Sequence, residues 1–184
     1  MNKNLLAATM ATMMACGCTP STDSNPLLQT FDTPYGIPPF EKIEDAHYLP
    51  AFEKAMKAQK DEIEAIATCK DAPTFENTVL ALDRSGQLLS QVASVFFAQD
   101  ATATNAAMQE VDAKVSPMLA THQDEIMMDS RLWERVKTVY EQRKGSHLDA
   151  VQQKLVEETY KEFVRSGANL DKQAQERLKE LNNE

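Results

Sequence analysis

The chain has 184 residues, enough for one domain with a core of its own, and its 42% hydrophobic and 26% charged composition excludes a disordered protein. Nineteen Lys and Arg against 28 Asp and Glu leave a net charge of −9, a field that repels polyanions. Arg131, Arg135 and Lys137 come nearest to a basic patch, but Glu134 and Glu141 interleave with them as on a solvated helix face, so a nucleic-acid partner is not expected.

Lys3 is followed by an uncharged run from Leu5 to Ala15, the length of a signal-peptide apolar core and short of the ~20 residues that span a bilayer. Cys16-Gly17-Cys18 comes next, and a small residue before a cysteine behind such a run resembles the bacterial lipoprotein signal. Residues 1–15 are therefore read as a lipoprotein signal peptide, 16–39 as tether and extended lead-in, and 40–184 as a helical domain. Cys16, with Ala15 before it and Met13 at −3, is the expected lipid-attachment residue, and Cys18 is the alternative. Acylation would hold the chain at a membrane of the cell envelope, as a periplasmic or outer-membrane lipoprotein. An ordinary cleaved leader with incidental cysteines is the competing reading. Cys69 reads as a half-buried thiol with no disulfide partner.

Prolines at 26, 34, 38 and 39 forbid a long helix in the lead-in, where Phe31, Tyr35, Ile37 and Phe40 are apolar enough to lie along something larger. Leu49, Phe52, Met56, Ile63 and Ile66 then share one face of a helix expected from Ile43 to Thr68, with Gln59 filling a gap and Pro50 near its regular start. Asp71 to Thr74 breaks it. Phe75, Val79, Leu82, Gly86, Leu89, Ala93 and Phe96 recur at spacings of four and three, predicting one continuous helix with Gly86 on a packed face. Its wide apolar stripe is expected to press on protein beyond this chain.

A polar connection, Gln99 to Asn105, leads to a helix with Met108, Val111, Val115, Met118 and Ile126 on one side, which Pro117 should bend or split. Asp129-Ser130 caps a helix carrying Leu132, Val136 and Val139, and Gly145-Ser146 ends it. Asp149 and Gln152 form a capping box before Val151, Leu155, Thr159 and Phe163. Gly167 suits a C-cap, and Asp171 opens a last helix with Ala174, Leu178 and Leu181 inward. Nothing stops the pattern before Glu184, so it reads as cut in mid-helix. With no alternating run, the fold class is all-α, an antiparallel or orthogonal bundle of about six helices in a monomer.

Chemistry is scarce. His47, His122 and His147 stand apart, and only His122, Glu125 and Asp129 share a helix face, as a weak surface cation site. Asp61-Glu62 and Glu157-Glu158 are adjacent pairs that diverge by about 100° on a helix. No H-E-x-x-H, Gly-rich phosphate loop or G-x-S-x-G is present, and Cys69 has no identifiable base. No residue of this chain is expected to be catalytic or to hold a metal.

Ordered blocks nevertheless carry a resemblance. Phe40-Glu-Lys-Ile43 with His47-Tyr-Leu-Pro-Ala-Phe52, then Pro73-Thr-Phe-Glu-Asn-Thr78, Leu80 to Leu89, Ser94-Val-Phe-Phe97, Phe163-Val164 with Gly167-Ala168, and Leu178 to Asn182 are similar to the thimet-oligopeptidase-like metallopeptidases, family M3. The bacterial peptidyl-dipeptidases are the group they resemble most. The resemblance implies a helical clamshell over a deep channel, with zinc held by H-E-x-x-H and a further Glu well downstream of these residues. It implies release of C-terminal dipeptides from oligopeptides by the complete enzyme, and a channel-wall role for the region matched here. Pro117 departs from the family pattern. The alternative is a non-catalytic helical lipoprotein that serves as a binding or scaffold module.

Overall fold

The computed structural model describes residues 25–182. They form α1 (Tyr48–Ala67), a single turn α2 (Ala81–Asp83), α3 (Gln87–Ala103), α4 (Ala106–Met127), α5 (Ser130–Gln142), α6 (Ala150–Arg165) and α7 (Lys172–Asn182), with no strand among the described residues. Apart from α2, these are the six helices that periodicity predicts. The signal peptide, Cys16 and Cys18 lie outside the described residues.

α1 starts at Tyr48 rather than Ile43, because two 3-10 turns, Phe40–Lys42 and Asp45–His47, come first. The His47 ring accepts the Glu44 backbone N–H at 2.9 Å, and Pro50 sits in the first turn, where a missing N–H breaks no helical bond. Phe52, Met56, Ile63 and Ile66 are buried on the expected face, and Tyr48 joins them. α3 lies antiparallel to α1: the Tyr48 hydroxyl bonds Gln99 at one end, and the Glu62 carboxylate takes the Gly86 N–H at 2.7 Å at the other. α4 runs parallel to α1, matching Asp45 to Asn105, Gln59 to His122, and Glu64 to Arg131 just beyond its end.

The continuous Phe75–Phe96 helix does not form. Phe75–Leu80 is a π-helical turn capped by Thr74, α2 adds one turn, and the chain reverses at Gly86, whose φ is +71°. The left-handed backbone selects glycine, and a Cβ there would lie 2.3 Å from the amide end of the Gln59 side chain, which would have to move. The reversal also divides the stripe between two cores. Phe75 and Val79 pack with Val139 and Val156, whereas Val92, Val95 and Phe96 pack with Tyr48, Phe52 and Leu27. Its residues are buried or half-buried inside this chain, so the stripe needs no absent protein to cover it.

Three apolar clusters result. In the first, Phe96 meets Tyr48 and Phe52 edge-to-face at 4.9 and 5.5 Å, and each fully buried large side chain contributes roughly 1.5–3 kcal/mol. The second joins the end of α1 to α4, α5 and α6 through Ile63, Ile126, Leu132 and Phe163, with Trp133 stacked on Phe163. The third is the Phe75 cluster.

Further differences from expectation are local. α3 continues to Ala103, so only Thr104 and Asn105 connect it to α4, whose start the Asn105 side chain caps. α4 is not split at Pro117: the lost bond to the Ala113 carbonyl is local, while Met108, Val115 and Ile126 hold both halves on the core. The predicted caps of α5 and α6 form, with Asp129 accepting from Arg131 and Leu132 N–H groups and Asp149 paired with Gln152. Gly167, φ +86°, ends α6 in a Schellman turn, its N–H on the Val164 carbonyl and that of Ala168 on Phe163. The inward face of α6 is set by Val156 and Phe163, and Val151 is exposed. Leu178 reaches the Gly167–Leu170 turn, but Leu181, expected inward, is 51% exposed.

Candidate functional site

A concavity lies along the parallel run of α1 and α4. It is a groove of about 580 Å³, floored by Met56, Met118 and Pro117 and edged by Lys60, Glu125 and His122. Its size falls in the range of small-ligand and peptide side-chain sites. Lys60 and Glu125, both in its lining, form an ion pair.

His122 is the unexpected member. The sequence places it on a charged surface, yet it is only 4% exposed, because Gln59 opposite it offers a polar partner within an apolar wall. Its Nε2 pairs with Gln59 Oε1 at 2.8 Å, and its Nδ1 is buried with no hydrogen-bond partner among the described residues. Burial lowers the imidazole pKa, nearby Lys60 lowers it further, and Glu125 opposes both. The balance favours the neutral ring. Gln59, which interrupts the apolar face of α1, was the visible signal: a polar side chain at a core position requires a partner.

The weak cation site does not assemble. His122 is committed to Gln59, Glu125 to Lys60, and Asp129 to the first turn of α5 and to Arg131 at 2.7 Å. Arg131 also binds Glu64 through two parallel bonds of 2.8 and 2.9 Å. That guanidinium holds both carboxyls below their ordinary range; for Asp129, burial is the strongest influence and opposes the shift. His47 accepts a backbone N–H, while His147 lies exposed beside a second cavity of about 420 Å³ with Glu76 and Ser146. Among the described residues no three His, Cys, Asp or Glu side chains converge to hold a metal ion, so they do not fit zinc.

The adjacent acids diverge too. Asp61 pairs with Lys57 and Glu62 with the Gly86 N–H, while Glu157 faces Arg143 and Glu158 takes Lys154 and Lys161. The Glu158 pKa falls to about 2 under its two lysine hydrogen bonds. Arg135, expected on a solvated face, is instead buried: it donates to the Cys69 and Asp71 carbonyls at 2.9 and 3.1 Å and to Asn77 at 3.0 Å. Those bonds tie the end of α1 to the π turn. Cys69 is a half-buried free thiol. The groove can seat an apolar side chain between charged edges.

No family model matches the chain. It is 44% identical over 161 residues to the dipeptidyl carboxypeptidase of Salmonella typhimurium, covering 88% of this chain and 24% of that protein. Identity to the dipeptidyl carboxypeptidase of Escherichia coli is 40% over 163 residues, 89% of this chain and 24% of the relative. Oligopeptidase A of Escherichia coli matches at 27% over 161 residues, 86% of this chain and 23% of its own length. The chain thus spans about a quarter of the curated relatives it matches. An identity this high, carried through nearly the whole helical body, makes the dipeptidyl carboxypeptidases and oligopeptidases A, peptidases of the M3 family, homologues of this chain.

Proposed function

We propose that the chain is the N-terminal helical region of a zinc-dependent peptidyl-dipeptidase, a cell-envelope lipoprotein that releases C-terminal dipeptides from oligopeptides. The observation that carries this reading is the 44% identity to a dipeptidyl carboxypeptidase over 161 residues. In this reading zinc and its ligands belong to the part of the enzyme not represented here, and the helices contribute a rigid wall. Zinc would supply an activated water to the complete enzyme. The test is dipeptide release from a blocked oligopeptide by the product of the whole reading frame, with and without a chelator. Chelator-sensitive release is expected, together with none from residues 25–184 alone. Release that survives chelation, or a whole product that cleaves no peptide, overturns the reading.

A second reading, a non-catalytic helical module, is favoured by the burial of the Phe75–Phe96 stripe within cores of the chain's own. It requires no peptidase activity from the whole product, so the same assay separates the two.

A further inference from the structure

Apolar side chains left in solvent are informative when they cluster and the backbone is strained to present them. Tyr35 is 100% exposed, Ile37 53% and Phe40 42%, all within the proline-rich loop between Thr33 and Ile43. Tyr35 has φ +64°, a left-handed conformation that a bulky L residue rarely adopts, and Gly36 follows at +67°. The Gly36 N–H on the Thr33 carbonyl, at 3.0 Å, and the Thr33 hydroxyl on the Ile37 carbonyl lock this turn.

Both flanks of the loop are fixed to the body. Phe31 and Ile43 pack on the first core, into which Leu27 is fully buried. The Asn25 side chain donates to the His47 carbonyl at 2.7 Å, and Gln91 donates to the carbonyls of Leu27 and Gln29 at 2.9 and 3.1 Å. These bonds hold the chain to the helices from Asn25 onward. Cys16, the expected acylation site, lies nine residues earlier in the sequence, a stretch whose full extension reaches at most ~30 Å.

We propose that the Thr33–Phe40 loop is a membrane-contacting foot that seats Tyr35, Ile37 and Phe40 in the interfacial layer of the leaflet holding the acylated cysteine. The inference rests on the lipoprotein reading. A tyrosine ring suits that layer, apolar in its body and polar at its tip, and Ile37 and Phe40 supply the apolar area beside it. Three side chains bind a bilayer weakly, but an acyl anchor a short stretch away keeps the local lipid concentration high. Asp32, Glu41, Glu44 and Asp45 flank the loop against Lys42 alone, so the preferred surface is zwitterionic and an anionic leaflet repels it.

The test uses the full acylated chain carrying Tyr35→Trp, mixed with vesicles of phosphatidylethanolamine and phosphatidylcholine that include bromine-labelled lipid. Trp133 is buried in the second core, so the added emission reports the loop. Bromines ~5–10 Å below the headgroups should quench that emission about two-fold, the depth of an interfacial apolar face. Replacing part of the lipid with phosphatidylglycerol should weaken the quenching. Unquenched emission from an acylated chain overturns the proposal. So does emission already shielded from acrylamide before vesicles are added, which would mean that protein covers the loop. Palmitate labelling of the parent chain identifies the remaining failure: no incorporation at Cys16 or Cys18 removes the anchor and the foot with it, whereas incorporation without quenching removes the foot alone.

Discussion

Gly86 and His122 meet the same side chain from two directions. Gln59 fills the space a Gly86 Cβ would need and offers its amide oxygen to His122. Gly86→Ala must therefore strain a positive φ and displace Gln59, and it should destabilise the folded chain by about 2–3 kcal/mol, read from urea melts. A loss under ~0.5 kcal/mol would show that the turn is not constrained as described. His122 makes stability depend on pH. Its folded pKa lies below the ordinary 6.5, so on acidification the unfolded chain takes up the proton first. The stabilisation is complete above 6.5, falls as pH drops through 6.5 toward the folded value, and levels off below it. His122→Gln should flatten that segment of the stability–pH curve, and an identical slope in parent and variant would sink the assignment. Neither effect shows in local sequence, where Gly86 fits a helical stripe and His122 lies among charged neighbours.

At the scale of elements, caps were the most legible feature. Asp129 and Asp149 bind backbone N–H groups within three residues of themselves, so the information is local and survives in the sequence. Interruptions were the least legible. Pro117 lacks the N–H that the Ala113 carbonyl would accept, yet α4 continues through it because tertiary packing holds both halves. Pro117→Ala restores that bond and should stabilise the chain by roughly 1–3 kcal/mol, measured as a raised urea midpoint at constant slope. No gain would mean that α4 already accommodates the proline by rearranging around it. At Phe75–Phe96 the opposite occurred: a helical period ran straight across a reversal. Spacings of four and three there reflect two separate apolar faces in sequence, one for each of two cores.

For the molecule as a whole, Ile63 and Ile66 of α1 lie in the second core and Phe52 and Met56 in the first, so one helix couples the two. Arg135 joins the end of α1 to the π turn, which enters the third. This linkage predicts a single cooperative thermal transition for residues 25–184, with calorimetric and van't Hoff enthalpies in agreement. A broad melt with exposed apolar surface would show that the helices depend on protein outside this stretch. Helix number, most boundaries, the caps and the family resemblance could be read from residue order alone, because they rest on interactions spanning a few positions and on blocks in sequence. Only the tertiary structure decided that Gly86 reverses the chain, that His122 and Arg135 are buried, and that the apolar stripe divides between two cores. Each depends on a partner far along the chain, Gln59, Cys69 or Tyr48, brought close only when the helices pack.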